Sequence, residues 1–155
     1  MSNKKLDEIN QIINEREAIF QKFALLSGIS ELAYRILYII RLDSEKEWIQ
    51  SDLSDSYFFS RKSVNSAISK LIDLNFVYLD SKKYSGNKKV IRITKDGDKF
   101  SRIYIDPIIE ADSSSFLDMK EEDQNKMVEL EKIQLELFKE KIKKFKIISF
   151  GGKNE

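Results

Sequence analysis

The sequence predicts a mostly α-helical chain carrying one small β-ribbon, and three observations lead there. Apolar residues recur at helical spacing through most of the 155 residues. Only two short runs, Phe76-Val77-Tyr78-Leu79 and Val90-Ile91-Arg92-Ile93, are β-rich, and the segment between them holds the turn signal Ser85-Gly86-Asn87. Serine and threonine stand just before several of the helical stretches, where cap residues belong.

Leu6 to Leu26 places Leu6, Ile9, Ile12, Ile13, Ile19, Phe20 and Phe23 at helical spacing, which predicts a long amphipathic helix ended by Ser27-Gly28. Ser30 caps a second helix reaching about Leu42, with Ile29 and Tyr34 as a hydrophobic staple. Its residues Leu32, Ala33, Ile36, Leu37, Tyr38, Ile39 and Ile40 are apolar on most faces, so it should be buried. Gln50 to Tyr57 is a short helix around Leu53. A turn through Phe58-Phe59 follows, and Ser60 caps the next helix, stapled by Phe59 and Val64. That helix turns Val64, Ala67, Ile68 and Leu71 inward. Asn75 stands where a left-handed residue ends it.

After the two β-runs, Thr94 caps a helix directed toward Phe116, which Pro107 should kink or split. Asp118 with Glu121 forms a capping-box analogue opening a last long helix, striped by Met127, Leu130, Ile133, Leu137 and Phe138. The tail from Lys146 should fray.

Composition excludes several function classes. There is no cysteine and no histidine, so disulfides, thiolate and imidazole metal sites, and Ser-His or Cys-His nucleophilic triads are impossible. No glycine loop cradles phosphate and no carboxylate pair is placed for acid–base work, so no enzyme, cofactor or metal is expected. The acidic segment Asp118 to Asp123 reads as a helix start in solvent. No apolar leader or membrane-length run is present, and the expected location is cytoplasmic.

Net charge is +1, but it is unevenly spread. Between Ser60 and Arg102 the cations Arg61, Lys62, Lys70, Lys82, Lys83, Lys88, Lys89, Arg92, Lys95, Lys99 and Arg102 face only Asp73, Asp80, Asp96 and Asp98; from Asp106 to Glu136 acids dominate. Such local basicity on a near-neutral chain points to a focused anion-binding face. The first turn after Ser60 is Arg61-Lys62-Ser63, with no acid. Helix N-termini favour anions, so each cation there costs roughly 0.3–1 kcal/mol. A phosphate backbone would offset that cost.

A short helix, a tight turn, a capped second helix and a β-ribbon make a winged helix-turn-helix, whose second helix enters the major groove. On the helix at about 60–73, Asn65 suits adenine and Arg61 and Lys62 suit guanine or phosphate. Ser63, Ser66 and Ser69 suit either, and Lys70 lies on the same outward face. In the wing at about 80–89, Lys82, Lys83, Asn87, Lys88 and Lys89 suit the backbone or minor groove. A solvated polar face is the plainer account of each residue alone; helix and wing together favour double-stranded DNA.

The run Leu53 to Ile68 resembles the helix-turn-helix of the MarR family of bacterial transcription regulators, with Leu53-Ser54, Phe59, Ser60 and Ser63-Val64 in the family's places. Lys70-Leu71, Asn75-Phe76-Val77 and Ile93-Thr94-Lys95-Asp96-Gly97 are similar to its later motifs, with Asn75 replacing a glycine. The wing departs: Ser85-Gly86-Asn87 stands where the family carries Asp-x-Arg, leaving Lys88 or Lys89 to supply the charge. Phe58 replaces the turn glycine, and Ile49 a capping threonine.

The resemblance implies a homodimer, a palindromic DNA site, and a regulator, most often a repressor. It also implies release by a small aromatic effector, for which Tyr34, Tyr38, Phe100 and Tyr104 are the candidate pocket, although aromatics at this spacing also serve as plain core. The expected organisation is an N-terminal dimerisation helix (1–29), a winged helix-turn-helix domain (30–100), C-terminal dimerisation helices (101–147) and a flexible tail (148–155). Two alternatives stay open: a winged-helix protein with another DNA role, such as plasmid replication or partition, and a protein-interaction module.

Overall fold

The computed structural model describes residues 3–81 and 88–145. The wing residues Lys82, Lys83, Ser85, Gly86 and Asn87, and the tail from Lys146, lie outside the described residues. The order is α1 (Lys4–Ser27), α2 (Glu31–Leu42), α3 (Gln50–Tyr57), α4 (Arg61–Asp73), β1 (Val77–Asp80), β2 (Val90–Ile93), α5 (Lys95–Tyr104), α6 (Asp106–Leu117) and α7 (Glu121–Lys143). This is a mostly α winged helix-turn-helix fold, preceded and followed in sequence by a long helix. The chain divides into two compact units, Met1–Ala111 and Asp112–Glu155.

In the first unit, caps set the helix starts. Ser30 Oγ accepts from the Ala33 N–H at 3.3 Å, Ser60 Oγ from Ser63 at 3.1 Å, and Thr94 Oγ1 from Gly97 at 3.0 Å. Each bond satisfies a donor that the first turn leaves without a helical partner. The apolar side of α2 (Ala33, Tyr34, Ile36, Leu37, Ile39, Ile40) is buried, and Val64, Ala67, Ile68 and Leu71 of α4 close over it. The helix α4 ends in a Schellman motif. Phe76 N–H bonds to Leu71 O and Asn75 N–H to Ile72 O, both at 2.8 Å, with Asn75 left-handed at φ 58°.

The strands pair antiparallel, with Val77 opposite Ile93 and Asp80 opposite Val90. A bridge from Ile49 to Val90, and the Ile91 N–H bonded to Trp48 O at 2.8 Å, tie the entry to α3 onto the ribbon. Ile49 therefore begins α3 without a side-chain cap, and its extended backbone serves the sheet.

Pro107 coincides with a split, as the sequence predicts. It is the second residue of α6, where a missing N–H costs no helical bond. Arg41, at the end of α2, clamps this break: its guanidinium reaches Asp106 at 2.8 and 2.5 Å and Asp98 at 2.8 Å.

In the second unit one expectation is corrected. Asp118 does not cap the last helix. Its N–H closes the final turn of α6 on Ser114 O at 2.8 Å, so it is still engaged with the preceding helix. The start moves to Lys120, without a side-chain cap, and Gln124 Nε2 instead donates back to Met119 O at 2.8 Å. Glu121, Glu122 and Asp123 then fill the electropositive first turn. No residue of α7 is buried. Among the described residues, no single helix is long and apolar enough to cross a membrane.

Candidate nucleic-acid interface

Four buried residues of α4 face α2 and α3, which leaves one continuous outward face. Arg61, Lys62, Ser63, Asn65, Ser66, Ser69 and Lys70 are all exposed. The 3.6-residue period puts Arg61, Asn65 and Ser69 in one row and Lys62 and Ser66 in the next. The first turn holds no acid. Ser63 belongs to the cap as well as the face, because its Oγ accepts from Ser60 Oγ at 2.7 Å.

The charges on this face differ in how far they are compensated. Arg61 reaches Asp55 only at 3.9 Å, with both side chains largely in solvent, a pair that contributes little. Lys62, Lys88 and Lys89 make no ion pair among the described residues. Lys70 stands in the last turn of α4, where a cation is favoured. It has a structural reason to be there as well.

Several cations counted from the sequence are occupied elsewhere. Arg92 bonds Glu47 at 2.6 Å and approaches Asp80 at 3.8 Å, so it braces the base of the ribbon. Arg102 bonds Asp98 at 2.8 Å, and the Arg102 guanidinium, followed by Arg41, holds the Asp98 carboxyl below the usual carboxylate range. Asp106, foremost, holds the Arg41 guanidinium more firmly protonated than usual. Among the described residues the basic segment therefore divides into structural cations at the ribbon and α5, a weakly paired Arg61, and Lys62, Lys88 and Lys89, which carry no ion pair. Pairings such as Glu47–Arg92 join residues 45 positions apart, and charge counting along a sequence carries no signal of them.

The four candidate effector aromatics are packed with one another and with the core. Tyr34 is fully buried, and its hydroxyl donates to Tyr104 O at 2.7 Å. Burial, and secondarily Tyr38, push its pKa up to about 12. Tyr38 meets Phe20 edge-on at 5.2 Å. Phe100 lies between Phe76, stacked at 4.3 Å, and Tyr104, tilted at 4.9 Å. A cavity of about 590 Å³ opens elsewhere, where Arg41, Lys46, Arg92, Thr94, Lys95 and Lys99 contribute to its wall. Sequence reasoning missed it, along with Lys46 sitting 3.8 Å over the Trp48 ring.

No protein-family model matches the chain, and no curated protein matches it by sequence. Solved structures do. A MarR transcription regulator from Oenococcus oeni PSU-1 superposes with a TM-score of 0.67 at 18% identity, over 86% of this chain and 98% of that one. A MarR family regulator from Neisseria meningitidis gives 0.69 at 14% identity, over 92% and 99%. A MarR family transcriptional regulator from Listeria monocytogenes, complexed with 26mer DNA, gives 0.66 at 17% identity, over 100% and 99%. At these identities the shared property is the fold: the chain has the winged helix-turn-helix architecture found in MarR family regulators.

Proposed function

We propose that the chain is a sequence-specific regulator of transcription that binds double-stranded DNA as a homodimer on a palindromic site and acts as a repressor in the cytoplasm. One observation carries the reading: α4 presents an outward face of Arg61, Lys62, Asn65, Ser66 and Ser69 on a capped helix whose first turn has cations and no acid. In the groove, Arg61, Lys62 and Asn65 meet base edges or phosphates, while Lys88 and Lys89 meet backbone beside the minor groove. Lys82, Lys83 and Asn87 belong to the same wing contact. The shared fold with a regulator crystallised on DNA supports this placement.

The homodimer is supported by apolar stripes that the chain leaves in solvent. Leu6, Ile9, Ile12, Ile13 and Ile19 of α1, and Met127, Leu130, Ile133, Leu137 and Phe138 of α7, are exposed. Stripes of this length need a partner surface, and two-fold pairing doubles the phosphate contacts. Release by a small aromatic effector is part of the same reading. Such a molecule would have to part Phe100 from Tyr104, or enter beside Tyr38, because Tyr34 is sealed in the core.

Selection of sites from random duplex DNA tests the whole reading. The expected product is a palindrome with half-sites about 10 base pairs apart, bound with steep salt dependence. Arg61→Ala and Asn65→Ala relax base preference, whereas Lys88→Ala weakens all sequences alike and lowers the salt slope by about one. Failure to bind DNA at low salt, or binding indifferent to Arg61 and Lys62, overturns the reading.

A further inference from the structure

Phe58 is 91% exposed, more than any other large apolar side chain among the described residues. It also has left-handed backbone, at φ 57° and ψ 26°. That conformation is costly for an L-residue with a bulky side chain, and a ring left in water recovers none of the hydrophobic effect. Asn75, the other non-glycine residue at positive φ among the described residues, is different. Asn tolerates the left-handed region, and its side chain donates to Asp96 at 2.8 Å.

The surrounding turn is well anchored. Tyr57 packs between Trp48 at 5.9 Å and Phe59 at 6.2 Å, and Phe59 lies against the core. Phe58 alone points away from them. A residue both strained and unburied in a fixed turn is explained by a contact that forms outside the free chain.

Its position selects the occupant. Phe58 lies two residues before the cap Ser60, within about 7 Å of chain, at the end of α4 that carries Arg61 and Lys62. An apolar ring beside these cations suits a surface that combines phosphates with apolar groups. The major groove offers both, since thymine projects its 5-methyl group there and phenylalanine can pack on it. We propose that Phe58 is a base-reading residue whose ring packs against a thymine methyl beside the base steps met by Arg61 and Lys62. The proposal rests on the DNA-binding reading above.

The test uses the full chain and the duplex it selects, synthesised with each thymine replaced in turn by deoxyuridine, which keeps the pairing and removes the methyl. At one position per half-site the wild-type chain should bind the uracil duplex about fourfold more weakly, the effect of one buried methyl-sized group. Phe58→Gly should bind both duplexes equally while still preferring the selected site over random DNA. Glycine adopts the left-handed backbone freely, so its thermal midpoint should not fall, and an unfolded variant does not confuse the result. Wild-type indifference to every thymine methyl, or unchanged discrimination in Phe58→Gly, overturns the proposal while leaving the Arg61-dependent reading intact. If no duplex is selected at all, the DNA-binding reading falls, and this inference falls with it.

Discussion

A Cβ on Gly97 would lie 2.0 Å from the carbonyl oxygen of Phe76. The first turn of α5 is thus pressed directly onto the backbone that leads into β1. Thr94 holds the same junction: its N–H donates to Phe76 O at 3.0 Å, and its hydroxyl donates to Asn75 O at 2.5 Å while accepting from Gly97. The Thr-x-x-Gly spacing fastens the end of α4, the start of the ribbon and the start of α5 in one place. Because the obstacle is backbone, Gly97→Ala should cost on the order of 3 kcal/mol, read as a lower urea midpoint at unchanged slope. Gly28→Ala is the control: nothing lies within 4 Å of a Cβ there, so only the left-handed strain of about 1 kcal/mol applies.

Lys62 stands in the first turn of α4 beside unpaired N–H groups. Lys62→Glu should stabilise the fold by roughly 0.3–1 kcal/mol, since an anion suits that end of the helix, and should weaken DNA binding by repelling phosphate. Thermal unfolding and DNA affinity measured on one preparation would then move in opposite directions. If both fall together, Lys62 has a structural role that its exposed position does not reveal.

The helices, caps and ribbon were legible because their chemistry is local. As caps, Ser30, Ser60 and Thr94 accept from residues three positions on, and the inward set of α4 follows from a 3.6-residue period. Asp118 misled because its pattern with Glu121 suits a helix start equally well, and only the structure shows its N–H committed to Ser114. The bridge from Ile49 to Val90 and the Glu47–Arg92 pair join segments far apart in sequence. The α4 face was therefore readable in full. The division of basic residues into ribbon braces and uncompensated charges was not, because it depends on tertiary partners.

The stripe on α7 predicts an association that a single residue can disturb. Ile133→Glu places a charge among Leu130, Leu137 and Met127, all exposed in the chain by itself. A buried unpaired carboxylate opposes pairing strongly, whereas the same carboxylate in solvent costs a lone chain little. Sedimentation should therefore give twice 18.2 kDa for the wild-type chain and the monomer mass for the variant, with helical content retained. A wild-type monomer would sink the dimer proposal without touching the α4 face.

Tyr34 gives the fold an alkaline limit. Burial, with a smaller effect from Tyr38, pushes its pKa from 10.0 up to about 12, and its hydroxyl is a donor that a phenolate could not be. The folded pKa lies above the unfolded one, so the unfolded chain releases this proton first as pH rises. The stability contributed by Tyr34 is therefore complete below pH 10 and is lost as pH approaches about 12. Tyr34→Phe should start less stable by about 1 kcal/mol, through the lost hydrogen bond to Tyr104 O. It should then show a shallower decline over that window than the wild-type chain. Urea midpoints taken for both across the window separate the two effects. Parallel curves would mean that Tyr34 ionises as easily in the folded chain as in the unfolded one, against the sealed position it occupies under α5.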